Sequence, residues 1–97
     1  MEKLHLNQEK LELAAAKLRA ISHPTRIAIL DMLNDKPMSV TEIFNELKME
    51  QASTSHHLNI LKSKGVLTSH RQGKRIIYSL KYNTISEIIE CINHCHA

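Results

Sequence analysis

The stretch that decides the fold runs from Gln51 to Leu80 and reads QASTSHHLNILKSKGVLTSHRQGKRIIYSL. Three residues stand at the i, i+4, i+7 spacing of one helical face: Thr54, Leu58 and Leu61. Gly65 follows as a left-handed cap. Beyond it, two β-prone runs are joined by Gln72-Gly73-Lys74, which indicates a hairpin. The sequence therefore predicts a helix over 51–64 and a two-stranded wing over 66–80.

The positive charge of the chain is concentrated in the same region. Residues 48–81 hold seven of the thirteen Lys and Arg residues and one acid, a net charge of +6 in a chain of net charge +3. Residues 1–47 carry six bases against seven acids, and residues 82–97 carry two acids. A basic stripe over a short polar helix and a hairpin is typical of nucleic-acid binders. The alternative is a solvated surface with scattered lysines.

The outer face of the predicted helix 51–64 is made of short polar side chains. Taking Thr54 as inward, the positions we expect to contact bases are Gln51, Ser53, Ser55, His56 and Asn59. Such residues are poor helix formers, whereas small hydroxyl, amide and imidazole groups let a helix approach base edges in the major groove. The alternative is an ordinary amphipathic surface helix. His57 points about 100° away from His56 and is interpreted as a packing neighbour of the core.

The predicted hairpin tip is flanked by cations. We add three of its residues to the predicted DNA contacts: Arg71, Lys74 and Arg75. Such a wing can lie along the DNA backbone or reach into the minor groove. The same residues are compatible with a charged edge that deters strand pairing.

The remaining segments have helical periodicity and clear boundaries. The predicted order is helix 8–21, a second helix from Pro24 that stops within 34–37, a third from the capping box Ser39–Glu42 to about Lys48, helix 51–64, strands 66–71 and 75–80, and a last helix 83–95. The last helix repeats four isoleucines on one expected face: Ile85, Ile88, Ile89 and Ile92. This order, ααααββα, predicts a mainly helical α+β winged helix-turn-helix.

Four segments together resemble the ArsR/SmtB family of bacterial winged-helix repressors. They read LRAISHPTRIAIL (18–30), EQASTSHHLNIL (50–61), GVL (65–67) and GKRIIYSL (73–80). The length of the chain predicts a single domain over residues 1–97. The resemblance, which covers residues 18–80, implies a homodimer joined through the first and last helices. It also implies repression of transcription from a near-palindromic operator in double-stranded DNA, with Gln51, Ser53, Ser55 and His56 facing the bases.

Three residues depart from the pattern of that family. His23 stands where the family usually has Asp, and Thr54 stands in place of an inward valine. We expect both to cost a little stability. Glu50 replaces a serine at the entry to helix 51–64, where its charge would repel nearby phosphate.

Candidate sensor residues cluster at the end of the chain: Cys91, His94, Cys95 and His96. Two sensor sites known in the family are broken. The first needs a cysteine pair at the start of the third helix, and residues 39–43 contain no thiol. The second needs Asp, His and an acid besides a His that aligns with His94, and those three positions hold Lys81, Asn83 and Ala97. Thiolate and imidazole ligands suit Zn²⁺, Cu⁺ or arsenite. The Cys91/Cys95 pair can also act as a thiol switch towards oxidants, or it can simply pack.

The composition limits the classes of protein to which this chain can belong. The chain has 97 residues, 42% of them hydrophobic, with two glycines, two prolines and two cysteines. We expect one small ordered domain in the cytoplasm, with no membrane partner, because neither a secretory signal nor an apolar run of about 18 residues is visible. No catalytic arrangement stands out, so we expect no enzyme. The alternative function is a small thiol/imidazole metal-binding or protein-interaction module without sequence-specific DNA binding.

Overall fold

The computed structural model describes residues 5–94. Its five helices are α1 (Gln8–Ile21), α2 (Pro24–Asp35), α3 (Val40–Leu47), α4 (Gln51–Ser63) and α5 (Asn83–Asn93), and its strands are β1 (Met38–Ser39), β2 (Leu67–Gln72) and β3 (Arg75–Leu80). The strands form one antiparallel sheet in the order β1-β3-β2. The predicted mainly helical α+β class and the winged helix-turn-helix order are confirmed, with β1 as an addition.

Local chemistry explains where α2 and α3 begin. Pro24 occupies the first turn of α2, and the Nδ1 atom of His23 accepts a hydrogen bond from the Thr25 amide at 3.1 Å. His23 thus caps α2 as an aspartate at this position would, and this offsets the loss of stability expected from the substitution. At α3 the predicted capping box is present, because Ser39 Oγ accepts from the Glu42 amide and Glu42 Oε1 accepts from the Ser39 amide.

Two left-handed residues delimit α4. Lys48, with φ of 55°, ends α3 and turns the chain into α4 within three residues. Gly65, with φ of 75°, follows the other end of α4, where the Val66 amide donates to the Leu61 carbonyl at 2.9 Å. This is the glycine cap that the sequence predicts, and it directs the chain into β2.

The core lies between the helices and the inner face of the sheet. Its most deeply buried apolar side chains come from α2, α3, α4, β2 with the residue before it, and α5: Ile29, Leu30, Ile43, Leu58, Leu61, Val66, Leu67 and Ile89. Thr54 is equally buried, and its Oγ1 has no hydrogen-bond partner among residues 5–94. The expected stability cost of Thr54 therefore has a physical basis in an unsatisfied hydroxyl.

The strand β1 is missing from the sequence-based assignment. Met38 pairs with Tyr78 and Ser39 pairs with Ile77 on β3. Two residues are too short to show the alternation that marks a strand. Because β1 runs directly into α3, this pairing attaches the start of α3 to the hairpin.

The isoleucines of α5 do not share one environment. Ile85 and Ile89 are buried in the core at 7% and 1% exposure, whereas Ile88 and Ile92 remain 38% and 42% exposed. The core of one chain therefore covers only part of the isoleucine face predicted for α5. The predicted end of this helix at Cys95 lies outside the described residues. Within residues 5–94, no helix combines the length and apolar character that crossing a bilayer requires.

Candidate nucleic-acid interface

The helix α4 separates an apolar inner face from a polar outer face. Thr54, Leu58 and Leu61 are fully buried, as predicted. On the outer side, four of the five predicted base-contacting residues are exposed and Ser55 is half-buried: Gln51, Ser53, Ser55, His56 and Asn59. All five thus retain access to solvent, and therefore to a groove.

An open cleft of about 340 Å³ lies between α4 and the hairpin. It brings together five of the predicted DNA contacts: Gln51, Ser55 and Asn59 from α4, and Lys74 and Arg75 from the wing. The start of α3 forms its third wall, through Ser39, Val40 and Thr41. Ser53, His56 and Arg71 do not line this cleft, although all three are exposed.

The three cations of the wing have different surroundings. Gly73, with φ of 65°, sits in the two-residue turn, and Arg71 Nε donates to its carbonyl at 3.2 Å. Arg75 Nη2 contacts Glu42 Oε1 at 2.6 Å. Lys74 is exposed at the tip. The sequence placed Arg75 among the DNA contacts without indicating that a carboxylate of α3 holds it.

Glu42 has two roles in this arrangement. Its Oε1 accepts hydrogen bonds from the Ser39 amide and from Arg75. The hydrogen bonds with Ser39, and then the guanidinium of Arg75, lower the pKa of the Glu42 carboxyl. Glu42 therefore stays ionised as it joins the start of α3 to the wing.

A polar cluster lies behind α4, on the side of α2. Arg26 Nε donates to His57 Nδ1 at 3.0 Å, and Arg26 Nη1 donates to the Ala20 carbonyl at 3.1 Å. The rings of His23 and His57 have centroids 4.8 Å apart. Burial, followed by the charges of His23, Arg26 and His56, lowers the pKa of His57. The sequence indicated His57 as a packing residue but gave no signal for its partner Arg26.

The candidate sensor residues are only partly described. Cys91 and His94 are exposed, one helical turn apart at the end of α5. Cys95 and His96 lie outside residues 5–94. In that part of the chain, no three His, Cys, Asp or Glu side chains are placed to hold a metal ion. The described residues alone therefore assemble no metal centre.

A second surface, formed by α1 and α5, is apolar. Five large apolar side chains are exposed on α1, at Tyr82 and on α5: Leu13, Leu18, Tyr82, Ile88 and Ile92. A cleft of about 260 Å³ runs between these helices, with Leu18, Tyr82 and Ile88 among its walls. Lys17 and Lys81 place their Nζ atoms 5.7 and 5.6 Å from the centre of the Tyr82 ring. The walls of this cleft are mainly apolar, which distinguishes it from the polar cleft beside α4.

Comparisons with known proteins agree with this geometry. A family model described as "Bacterial regulatory protein, arsR family" matches residues 23–69, which span α2 to the start of β2. The HTH-type transcriptional regulator YgaV of Escherichia coli is 35% identical over 99% of this chain and 98% of its own length.

Solved structures extend the similarity to three dimensions. The transcriptional repressor PagR of Bacillus anthracis is 35% identical with a TM-score of 0.82, covering 90% of this chain and 100% of PagR. HlyU of Vibrio cholerae, named a transcriptional activator, is 26% identical with a TM-score of 0.84, covering 93% of this chain and 100% of HlyU. These relatives are named as regulators and not as enzymes. With its helix-turn-helix, wing and sequence similarity taken together, the chain belongs to the arsR family of DNA-binding transcriptional regulators.

Proposed function

We propose that this chain is a homodimeric repressor that reads a near-palindromic operator with α4 and the wing. The observation that carries the proposal is the cleft beside α4, where polar side chains of the helix face the cations of the wing. Base edges in the major groove are read by hydroxyl, amide and imidazole groups, and phosphates are held by cations. The site residues remain those named above: Gln51, Ser53, Ser55, His56 and Asn59 on α4, and Arg71, Lys74 and Arg75 on the wing.

Dimerisation through α1 and α5 follows from their exposed apolar side chains. Leu13 and Leu18 on α1 are 55% and 58% exposed, and Ile88 and Ile92 on α5 are 38% and 42% exposed. Leu18 and Ile88 line one cleft between the two helices. Large contiguous apolar patches on a small chain mark protein interfaces. A two-fold dimer built on this surface presents two copies of α4 to half-sites one helical turn apart. In this proposal residues 1–97 act as one domain, in the cytoplasm.

Repression is the proposed sign of regulation. PagR carries the name of a repressor and HlyU that of an activator, so the fold serves either sign. A dimer bound over a promoter blocks polymerase without any further domain. We expect this chain to lower the expression of a reporter gene placed behind the cognate promoter. Expression should be restored when the chain carries Gln51→Ala.

The direct test is a fluorescence-anisotropy titration on the upstream promoter duplex, with sedimentation equilibrium on the same sample. If each subunit neutralises about three phosphates, log affinity should fall against log salt with a slope of roughly −5. Between 50 and 200 mM salt this is a loss on the order of a thousandfold. A monomer in solution, or equal affinity for random duplexes, would contradict the proposal.

An effector acting at Cys91 and Cys95 stays a prediction. Cys91 is exposed, so reagents reach its thiol in the single chain. The titration should be repeated with Zn²⁺, Cu⁺, arsenite, and an oxidant or polysulfide, each against a Cys91→Ser, Cys95→Ser control. Loss of DNA affinity under one reagent, absent in the control, identifies the signal. Unchanged DNA binding together with metal uptake that needs both thiols would favour the metal-binding module instead.

A further inference from the structure

Arg26 joins three helices through one guanidinium. It projects from the first turn of α2 and donates to the Ala20 carbonyl in the last turn of α1 and to His57 Nδ1 in the middle of α4. The two distances are 3.1 and 3.0 Å, and both contacts are partly buried. A planar guanidinium with separate donor nitrogens suits two acceptors that lie in different directions.

The acceptor state of His57 is essential to this contact. An imidazole nitrogen that accepts an N–H hydrogen bond carries no proton, so the bond from Arg26 exists only while His57 is neutral. Protonation turns Nδ1 into a donor that faces the Arg26 cation. The neighbouring His23 Nδ1 is an acceptor as well, since it caps α2 by accepting from the Thr25 amide.

We propose that Arg26 and His57 are positioning residues for DNA reading: their hydrogen bond fixes α4 to the end of α1, and protonation of His57 releases it. The inference rests on the proposed function, in which α1 belongs to the dimer surface and α4 reads bases. His57 itself turns away from the groove and is half-buried. Its effect on DNA binding is therefore exerted through the orientation of α4.

The charges around His57 all oppose its protonation. Arg26 and His23 face it from the side of α2, and His56 lies beside it on α4, with ring centroids 5.9 Å apart. The contact with α1 is made by Arg26 to a carbonyl and adds no charge. Burial and these three charges lower the pKa of His57 below its ordinary value of 6.5. The bond is consequently intact at neutral pH and broken in acid.

The test compares the wild type with His57→Gln on one promoter duplex, at fixed ionic strength, between about pH 5 and pH 8. Glutamine offers an amide oxygen to Arg26 but does not titrate. At about pH 8 the two proteins should bind within about threefold of each other, and at about pH 5 the wild type should bind about tenfold more weakly.

The sign of this difference excludes a bystander role. If His57 were a bystander, its added positive charge in acid would strengthen DNA binding by the wild type relative to His57→Gln. If the affinity of the wild type relative to that of His57→Gln rises as the pH falls, or does not change, the proposal is overturned. His70→Gln is the matched control, because His70 is an exposed histidine on β2, away from the hydrogen bonds of Arg26 and from the named DNA contacts. Equal behaviour of the two variants also overturns the assignment to His57.

Arg26→Lys tests the other half of the contact. Lysine retains the charge but replaces two separate donor nitrogens by one. We expect about tenfold weaker DNA binding at pH 8 and a flattened pH response. Wild-type affinity with a wild-type pH profile would overturn the role of the guanidinium.

Urea unfolding without DNA separates this inference from the proposed function. Because the pKa of His57 is lowered in the folded chain, its contribution to stability is present above 6.5 and is lost as the pH falls through the folded pKa. The loss should be smaller in His57→Gln. No promoter binding at pH 8 removes the proposed function and with it the reading role. Identical unfolding profiles overturn the Arg26–His57 contact itself.

Discussion

The helices α4 and α5 are both amphipathic, yet their exposed faces call for different partners. On α4 the buried face is Thr54, Leu58 and Leu61, and the exposed face is short and polar. On α5 the buried face is Ile85 and Ile89, and the exposed face still carries isoleucine. A helix that has already covered its core side and remains apolar needs protein, whereas a polar one beside cations suits DNA. The exposed face of each helix is therefore more informative about function than its buried face.

Among substitutions that test the difference between α4 and α5, we expect Ile88→Glu on α5 to have the largest effect. A carboxylate at the centre of the proposed seam would be buried without a partner, so we expect a monomer. Promoter affinity should fall by more than about a hundredfold, since the two half-sites would then be bound independently. Sedimentation equilibrium and anisotropy titration measure the two effects.

Ile76→Glu is the matched control for that change. Ile76 is an isoleucine of similar exposure, 45% against 38% for Ile88, but it lies on β3 in the cleft beside α4. This variant should remain a dimer and lose DNA affinity through its charge alone. A dimeric Ile88→Glu protein would remove the α5 seam from the proposal.

Gln51→Ala should weaken promoter binding without changing the dimer. Removing one base contact costs about 1–3 kcal/mol, a loss of between about fivefold and a hundredfold in affinity. Asn45→Ala is its control, because Asn45 is an exposed amide on α3 outside the cleft. Equal losses in both variants would show that the polar face of α4 has no special part in reading.

Lys74→Ala should change the salt dependence more than the sequence preference. Each dimer loses two phosphate contacts, so the slope of log affinity against log salt should become shallower by about two. Lys36→Ala, at an exposed lysine in a different cleft, should leave the slope unchanged. A slope unaffected by Lys74→Ala would mean that the wing tip stays off the DNA backbone.

Thr54→Val should have the smallest effect and should act on stability alone. It removes a buried hydroxyl that has no partner among the described residues and keeps the side-chain shape, so the free energy of unfolding should rise by about 1 kcal/mol. Exposed Thr68→Val on β2 serves as the control and should be neutral. Urea denaturation distinguishes the two, and DNA affinity should be unchanged in both. A destabilised Thr54→Val protein would mean that the hydroxyl is satisfied after all.

The predictable parts of this fold are local ones. The capping box of Ser39 and Glu42 spans four residues, and the cap at Gly65 depends on one backbone angle. The helices follow from periodicity, and the turn at Gly73 follows from its residue type. Each feature is decided within a few positions of the chain, so the sequence displays it directly.

The unpredicted parts join distant residues. Arg26 and His57 are 31 positions apart, and Glu42 and Arg75 are 33 apart. No local pattern specifies which of many polar residues will meet across a core. The split of the α5 isoleucines is similar, because it depends on how much of α5 the other helices cover.

The short strand β1 has a mechanical consequence. Since it pairs with β3 and leads straight into α3, the hairpin and the helix-turn-helix are hydrogen-bonded into one block. Tilting the wing relative to the helix-turn-helix would rupture that ladder. In the proposed dimer, we therefore expect a signal that loosens the protein from DNA while leaving it folded to change the distance between the two blocks, and crosslinks across the proposed α5 seam should trap one distance or the other.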